Sequence, residues 1–68
     1  MGVYSDAALD RLIRLNHKRA VAKSKQGDPY SIEFVRKLRE YERMPGNQKA
    51  KIELENILSV WLGKHGTR

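Results

Sequence analysis

The chain has 68 residues, with 14 Lys and Arg against 8 Asp and Glu, a net charge of +6, no cysteine and 40% hydrophobic residues. A chain of this length holds one domain with one small core and has no room for an elaborate catalytic cleft. The lack of cysteine excludes disulfides and thiolate metal sites, so packing or association with a partner must stabilise the fold.

Targeting and membrane segments are not apparent in the sequence. The longest apolar runs, such as Val60-Trp61-Leu62, are far shorter than the roughly 20 residues that span a membrane. The first six residues lack the charged and apolar regions of a signal peptide. We therefore expect a cytoplasmic protein with no membrane partner.

The first predicted helix covers about residues 5–26. Ser5 is a suitable N-cap, and Gly27 a suitable stop. Asn16 and Arg19 lie close to the apolar arc, and Glu42 is the candidate partner for Arg19 if the latter is buried. The side chains that repeat at helical spacing and should face the core are Leu9, Leu12, Ile13, Asn16 and Ala20.

The second predicted helix covers about residues 31–44. Two starts remain open: Asp28 as the cap with Pro29 in the first turn, or Ser31 as the cap after an extended Pro-Tyr step. The apolar face consists of Phe34, Val35, Leu38 and Tyr41. A break at residues 44–47 indicates that the third helix folds back on the second.

The third predicted helix covers about residues 48–62, with Asn47 as its cap and Gly63 as its stop. Residues 64–68 are expected to fray. The inner face consists of Ala50, Leu54, Ile57, Leu58 and Trp61. Three amphipathic helices predict an all-α fold, a small three-helix bundle, with residues 1–68 forming a single helical domain.

The sequence shows no pattern that is typical of an enzyme. His17 and His65 are the two histidines, and both are predicted to be solvated, one on the polar side of the first helix and the other past a helix stop. The glycines are isolated at helix ends, and the acidic residues and histidines lack metal-ligand spacing. We therefore predict a non-enzyme without cofactor or metal.

The positive charge is concentrated in the first helix. Residues 1–27 carry six basic and two acidic groups, residues 28–46 carry four of each, and residues 47–68 carry four and two. One outward arc of the first helix, about 21 Å long, carries only basic charges. An arc of this kind can follow a phosphate backbone or an acidic protein surface. Its members are Arg11, Arg14, Lys18 and Lys25.

The start of the third helix is the second candidate region. Lys49 and Lys51 lie in its first turn, where the helix dipole disfavours cations, so either an anion binds there or Glu53 and Glu55 compensate. The outward face carries hydrogen-bonding side chains around one exposed aliphatic residue. These side chains could reach base edges or anchor a protein interface. The residues of this face are Gln48, Lys49, Ile52, Asn56 and Ser59.

Two functions are compatible with these surfaces. The leading hypothesis is a small basic regulatory protein that binds nucleic acid, with the basic arc and the lysines on phosphates and the third helix near the bases. The alternative is an inhibitor or adaptor that sets the basic helix against an acidic protein. A homodimer that completes the bundle is a third reading. Helices two and three have the outline of a helix-turn-helix motif, but residues 44–47 form a longer and more abruptly broken turn than that motif has.

Overall fold

The computed structural model describes residues 4–66 and confirms the predicted three-helix bundle. Within that range the chain forms three helices and no strand: α1 (Asp6–Lys25), α2 (Pro29–Arg43) and α3 (Gln48–His65). None of these helices is both long enough and apolar enough to cross a bilayer.

Each helix begins with a side-chain cap. Ser5, Asp28 and Asn47 each accept a hydrogen bond from the backbone N–H three residues later, at 3.1–3.2 Å. Asp28 is therefore the cap of α2, and Pro29 is its first residue. This settles the start that the sequence left open, because proline lacks the N–H that a first-turn position leaves without a helical partner.

The core forms where the apolar faces of the three helices meet. The predicted inner faces are largely confirmed, with Leu12, Val35, Tyr41 and Ile57 only partly buried against the core. Glu55, which the apolar pattern did not single out, is also buried, and one of its carboxylate oxygens accepts a hydrogen bond from the Tyr4 N–H at 3.1 Å. The buried hydrophobic residues are Leu9, Ile13, Ala20, Phe34, Leu38, Ala50, Leu54, Leu58 and Trp61.

The predicted end of the third helix is wrong, because α3 continues through Gly63 to His65. Gly66, at φ 82°, ends the helix instead. Arg19 stabilises this extra turn by donating to the carbonyls of His65 and Gly66. Arg19 is therefore held by α3 rather than by Glu42. Of the predicted frayed tail, residues 67 and 68 lie outside the described residues.

A cluster of polar groups around Asp28 explains why the last turn of α3 is ordered. The Asp28 carboxylate accepts from the N–H and hydroxyl of Ser31, and His65 Nε2 lies 2.9 Å from the same oxygen. Trp61 Nε1 donates to the Ser31 hydroxyl at 2.7 Å, and the Arg19 guanidinium lies 4.7 Å from the centre of the Trp61 ring. We call Arg19, Asp28, Ser31, Trp61 and His65 the Asp28 cluster.

The helices alternate in direction. Along the seam between α2 and α3, contacts continue from Lys37–Glu53 to Asp28–His65, as expected for antiparallel neighbours packed along their length. On the other seam, α1 and α3 run in the same direction: Asp6 at the start of α1 pairs with Lys51 near the start of α3. Arg19, late in α1, contacts the end of α3.

Candidate functional site

The basic arc predicted on the first helix is fully displayed on the surface. All four of its side chains, which we call the α1 row, are exposed. Arg14 Nε lies 3.0 Å from a carboxylate oxygen of Asp10, but both side chains are more than half exposed, so the pair is screened and weak. The α1 row consists of Arg11, Arg14, Lys18 and Lys25.

A second row of cations, which the sequence analysis missed, lies on α2. Arg36, Arg39 and Arg43 are exposed and are spaced i, i+3 and i+7, which places them along one side of a helix. Together with Lys25 they line a groove of about 490 Å³. Lys25 belongs to the α1 row, and Arg14 and Lys18 of that row line a second groove between α1 and α2, so both rows border the seam between these two helices. We call this combined surface the basic face and its second part the α2 row.

Most cations of the basic face have no partner within the protein. Arg36 pairs with Glu33 at 3.1 Å, and Arg14 pairs with Asp10. The side chains of the other five form no hydrogen bond, ion pair or ring contact with any described residue. No carboxylate of a described residue lies within ion-pair distance of these five charges, so they are available to an anionic partner. These five are Arg11, Lys18, Lys25, Arg39 and Arg43.

The grooves between the two rows differ in chemistry from the rows themselves. Ile32, which is 47% exposed, and Val35 contribute apolar surface to the groove beside the α2 row. A second groove between α1 and α2 is lined by Arg14 and Lys18 on one side, but also by two carboxylates, Asp10 and Glu42. The cations thus lie along the edges of the two grooves, and part of the surface inside the grooves is apolar or acidic.

The structure changes the interpretation of two of the residues predicted at the start of the third helix. Ile52, predicted to be an exposed anchor, is half-buried, because its position on α3 is turned partly toward the other helices. Lys51 is bound to Asp6 at 2.7 Å, and its side chain is only 15% exposed. The hydrogen bond to the Asp6 carboxylate raises the pKa of Lys51. Lys51 therefore joins α1 to α3 and is not a free cation. Its ion pair with Asp6 offsets the unfavourable interaction of the lysine with the helix dipole.

Gln48, Lys49 and Asn56 are exposed as predicted, but the structure does not bring them into a common groove with the α1 row. In the described part of the chain, the grooves that contain these three are shared with α2, with the turn before α3, or with Asp6 and Lys51. The two halves of the predicted site are therefore separate surfaces.

The two histidines have different surroundings. His17 is exposed, as predicted, and lines the groove with Asp10 and Glu42. The prediction for His65 is wrong: its side chain is 14% exposed, packs against the Trp61 ring at 4.9 Å and contacts Asp28. The prediction for His65 failed because it placed the end of the third helix at Gly63, whereas α3 continues to His65. Residues 4–66 contain no group of three or more His, Asp or Glu side chains that could hold a metal ion.

Charged groups on the seam between α2 and α3 are already paired. Lys37 Nζ lies 3.0 Å from a carboxylate oxygen of Glu53 and 3.8 Å from one of Glu40. The hydrogen bond between Lys37 and Glu53 raises the pKa of the lysine and lowers that of the carboxyl. The lysine and the carboxylates of this seam are thus paired with one another, whereas most cations of the basic face have no partner among the described residues.

Comparisons of the chain with protein-family models, with curated proteins and with solved structures return no match.

Proposed function

We propose that this protein binds nucleic acid through the basic face formed by α1 and α2, with its lysines and arginines on backbone phosphates. The observation that carries the proposal is the set of five exposed cations on this one face that have no partner among the described residues. Phosphate contacts of this kind supply sequence-independent affinity, because each one releases condensed counterions from the nucleic acid.

The dimensions of the basic face suit an extended polyanion. The α1 row rises about 21 Å from Arg11 to Lys25, and because duplex DNA rises 3.4 Å per base pair, this length corresponds to about six base pairs. The arginines of the α2 row widen the basic face from α1 onto the neighbouring helix α2. Arginine binds phosphate well because its planar fork can donate two hydrogen bonds at once.

Base reading by α3 is not part of this proposal. In a helix-turn-helix motif the two helices cross at about 90–120°, whereas α2 and α3 are antiparallel and in contact from Lys37–Glu53 to Asp28–His65. The polar residues at the start of α3 also lie away from the α1 row. Backbone binding by the basic face, without base contacts from α3, is therefore the function that the geometry supports best.

The second candidate function is docking to an acidic protein, and one observation favours it. Leu15 on α1 is 59% exposed, and Ile32 on α2 is 47% exposed, each beside cations of the basic face. An aliphatic side chain rimmed by polar groups can pack against an apolar patch of a protein partner, which nucleic-acid phosphates do not offer. This partner would combine carboxylates with an apolar patch.

Salt-dependent binding to a short duplex of random sequence, followed by fluorescence anisotropy, tests the proposal. The double variant R11A/K18A should reduce the slope of log K against log salt by about 1.8, because each phosphate contact contributes about 0.9. The matched control is K23A/K49A, which removes the same charge from residues outside the two α1–α2 grooves and should leave a steeper slope than R11A/K18A does.

Equal slopes for R11A/K18A and for the wild-type protein would contradict the proposal. The variants L15S and I32S separate the two candidate functions: a protein partner should lose affinity when either aliphatic anchor is removed, whereas phosphate binding should not change.

A further inference from the structure

The basic face has a feature that bears on the kind of nucleic acid it takes. Its cations lie in two rows, on α1 and on α2, rather than along one line. Packed helices lie about 8–10 Å apart axis to axis. The exposed side chains of the two rows point away from the shared core, so the rows are two separate lines of charge, and a ligand that contacts both must present two lines of phosphates.

One of the two grooves between the rows disfavours a strand laid along it. Asp10 and Glu42 line the groove between Arg14 and Lys18 on one helix and Leu38 on the other. Their carboxylates repel phosphates that enter the groove, and this repulsion is strongest at short distance. A polyanion is held better with its charges over the rims, where the cations are, than over the middle.

The grooves also lack the groups that hold unpaired bases. Proteins that bind single strands stack bases on aromatic side chains. Among the described residues that line the two α1–α2 grooves, none is Phe, Tyr or Trp. Phe34 and Trp61 are buried in the core, and Tyr30, whose ring lies 4.7 Å from the Lys64 ammonium, is exposed but lines neither groove.

We infer that the ligand of the basic face is double-stranded, with the phosphates of one strand on the α1 row and those of the other strand on the α2 row. This inference rests on the proposed nucleic-acid function and adds the form of the ligand. The Asp10 and Glu42 carboxylates then face the space between the two backbones, where no phosphate lies.

The test compares a short duplex with either of its strands alone, using one double variant for each row. For the duplex, R11A/K18A and R39A/R43A should each reduce the salt slope by about 1.8, and the combination of all four by about 3.6. The single strand should bind more weakly, and at most one of the double variants should change its slope. K23A/K49A is again the control of equal charge.

A substitution in the groove provides an independent measurement. E42Q removes a carboxylate from between the rows while leaving both rows intact, and Glu42 is exposed, so the fold should tolerate the change. The affinity for the single strand should rise more than that for the duplex, because only the single strand has to place phosphates near this position.

The possible outcomes distinguish the two claims. If the single strand binds as tightly as the duplex, and both double variants reduce the salt slope of single-strand binding, the double-stranded inference is wrong and the proposed function stands. The same holds if only one row affects duplex binding. If neither row affects the binding of either ligand, the proposed function itself fails.

Discussion

The Asp28 cluster and the basic face use similar side chains for opposite purposes. In the Asp28 cluster, the Arg19 guanidinium donates to Asn16 Oδ1 at 2.9 Å and to two carbonyls at the end of α3. On the basic face, Arg11 and Arg39 are exposed and have no partner among the described residues. One arginine joins two helices, and the others contribute nothing visible to the fold.

This difference indicates which charges stabilise the protein and which remain for a partner. A partly buried guanidinium must be hydrogen-bonded, since an unsatisfied buried charge is costly. An exposed cation is solvated by water and is nearly neutral for stability. We therefore expect substitutions in the Asp28 cluster to change stability, and substitutions on the basic face to change binding.

The largest expected effect comes from Trp61→Ala. The Trp61 side chain is fully buried, packs against Phe34 at 5.5 Å between ring centres and donates to Ser31. Truncation should reduce the free energy of unfolding by about 3–5 kcal/mol, a large part of what so small a domain has. Urea denaturation followed by far-UV circular dichroism measures the loss. Val60→Ala, at a half-exposed neighbour, is the control and should be almost neutral.

The next effect is the contrast between Arg19→Ala and Arg11→Ala. Arg19→Ala should cost about 1–3 kcal/mol, because it removes hydrogen bonds to Asn16 and to the end of α3. Arg11→Ala should remain within about 0.5 kcal/mol of the wild-type protein. Hydrogen exchange should show faster exchange of the Gly66 amide, which donates to the Leu62 carbonyl, in the first variant only. Equal stabilities of the two variants would contradict the comparison.

A smaller effect should appear in acid. The hydrogen bond from the Ser31 hydroxyl lowers the pKa of Asp28, with a further contribution from His65, while burial acts in the opposite direction. Because the folded-state pKa lies below the unfolded value of about 3.9, the contribution of Asp28 is complete above that pH. It is lost as the pH falls through the folded-state pKa.

The variant Asp28→Asn tests this pH dependence while keeping a side chain that can cap α2. Urea midpoints measured from neutral pH down to about pH 3 should fall less steeply for Asp28→Asn than for the wild-type protein. Some slope should remain, since Lys37 also lowers the pKa of Glu53. Identical slopes in the two proteins would show that Asp28 does not contribute in this way.

The smallest effect on stability is expected for Arg14→Ala. The ion pair between Arg14 and Asp10 has side chains that are 80% and 60% exposed, so its loss should change the free energy of unfolding by less than about 0.5 kcal/mol. The same substitution should reduce the salt slope of duplex binding by about 0.9 if Arg14 contacts a phosphate. A stability loss comparable to that of Arg19→Ala would remove the distinction between the two regions.

Helical periodicity was sufficient to predict the three helices, most of the core and the α1 row. The α2 row was not predicted because the charge of residues 28–46 sums to zero, with four groups of each sign. That sum does not show where the charges lie: Arg36, Arg39 and Arg43 share one side of α2. Glu33 and Glu40, although Glu33 also pairs with Arg36 and Glu40 also lines the groove of the arginines, both lie within 4.0 Å of Lys37 at the seam with α3. The spacing of the arginines is a signal that the sequence alone contained.

Other features depended on contacts between residues far apart in the chain. The sequence by itself determined where α1, α2 and α3 lie and which faces are apolar, because caps and side-chain periodicity act over a few neighbouring residues. Only the tertiary structure decided that Lys51 is bound to Asp6, that His65 lies in a helix, and which cations have no partner. Whether a charge is paired depends on distances set by packing, and the order of residues within one helix does not contain them.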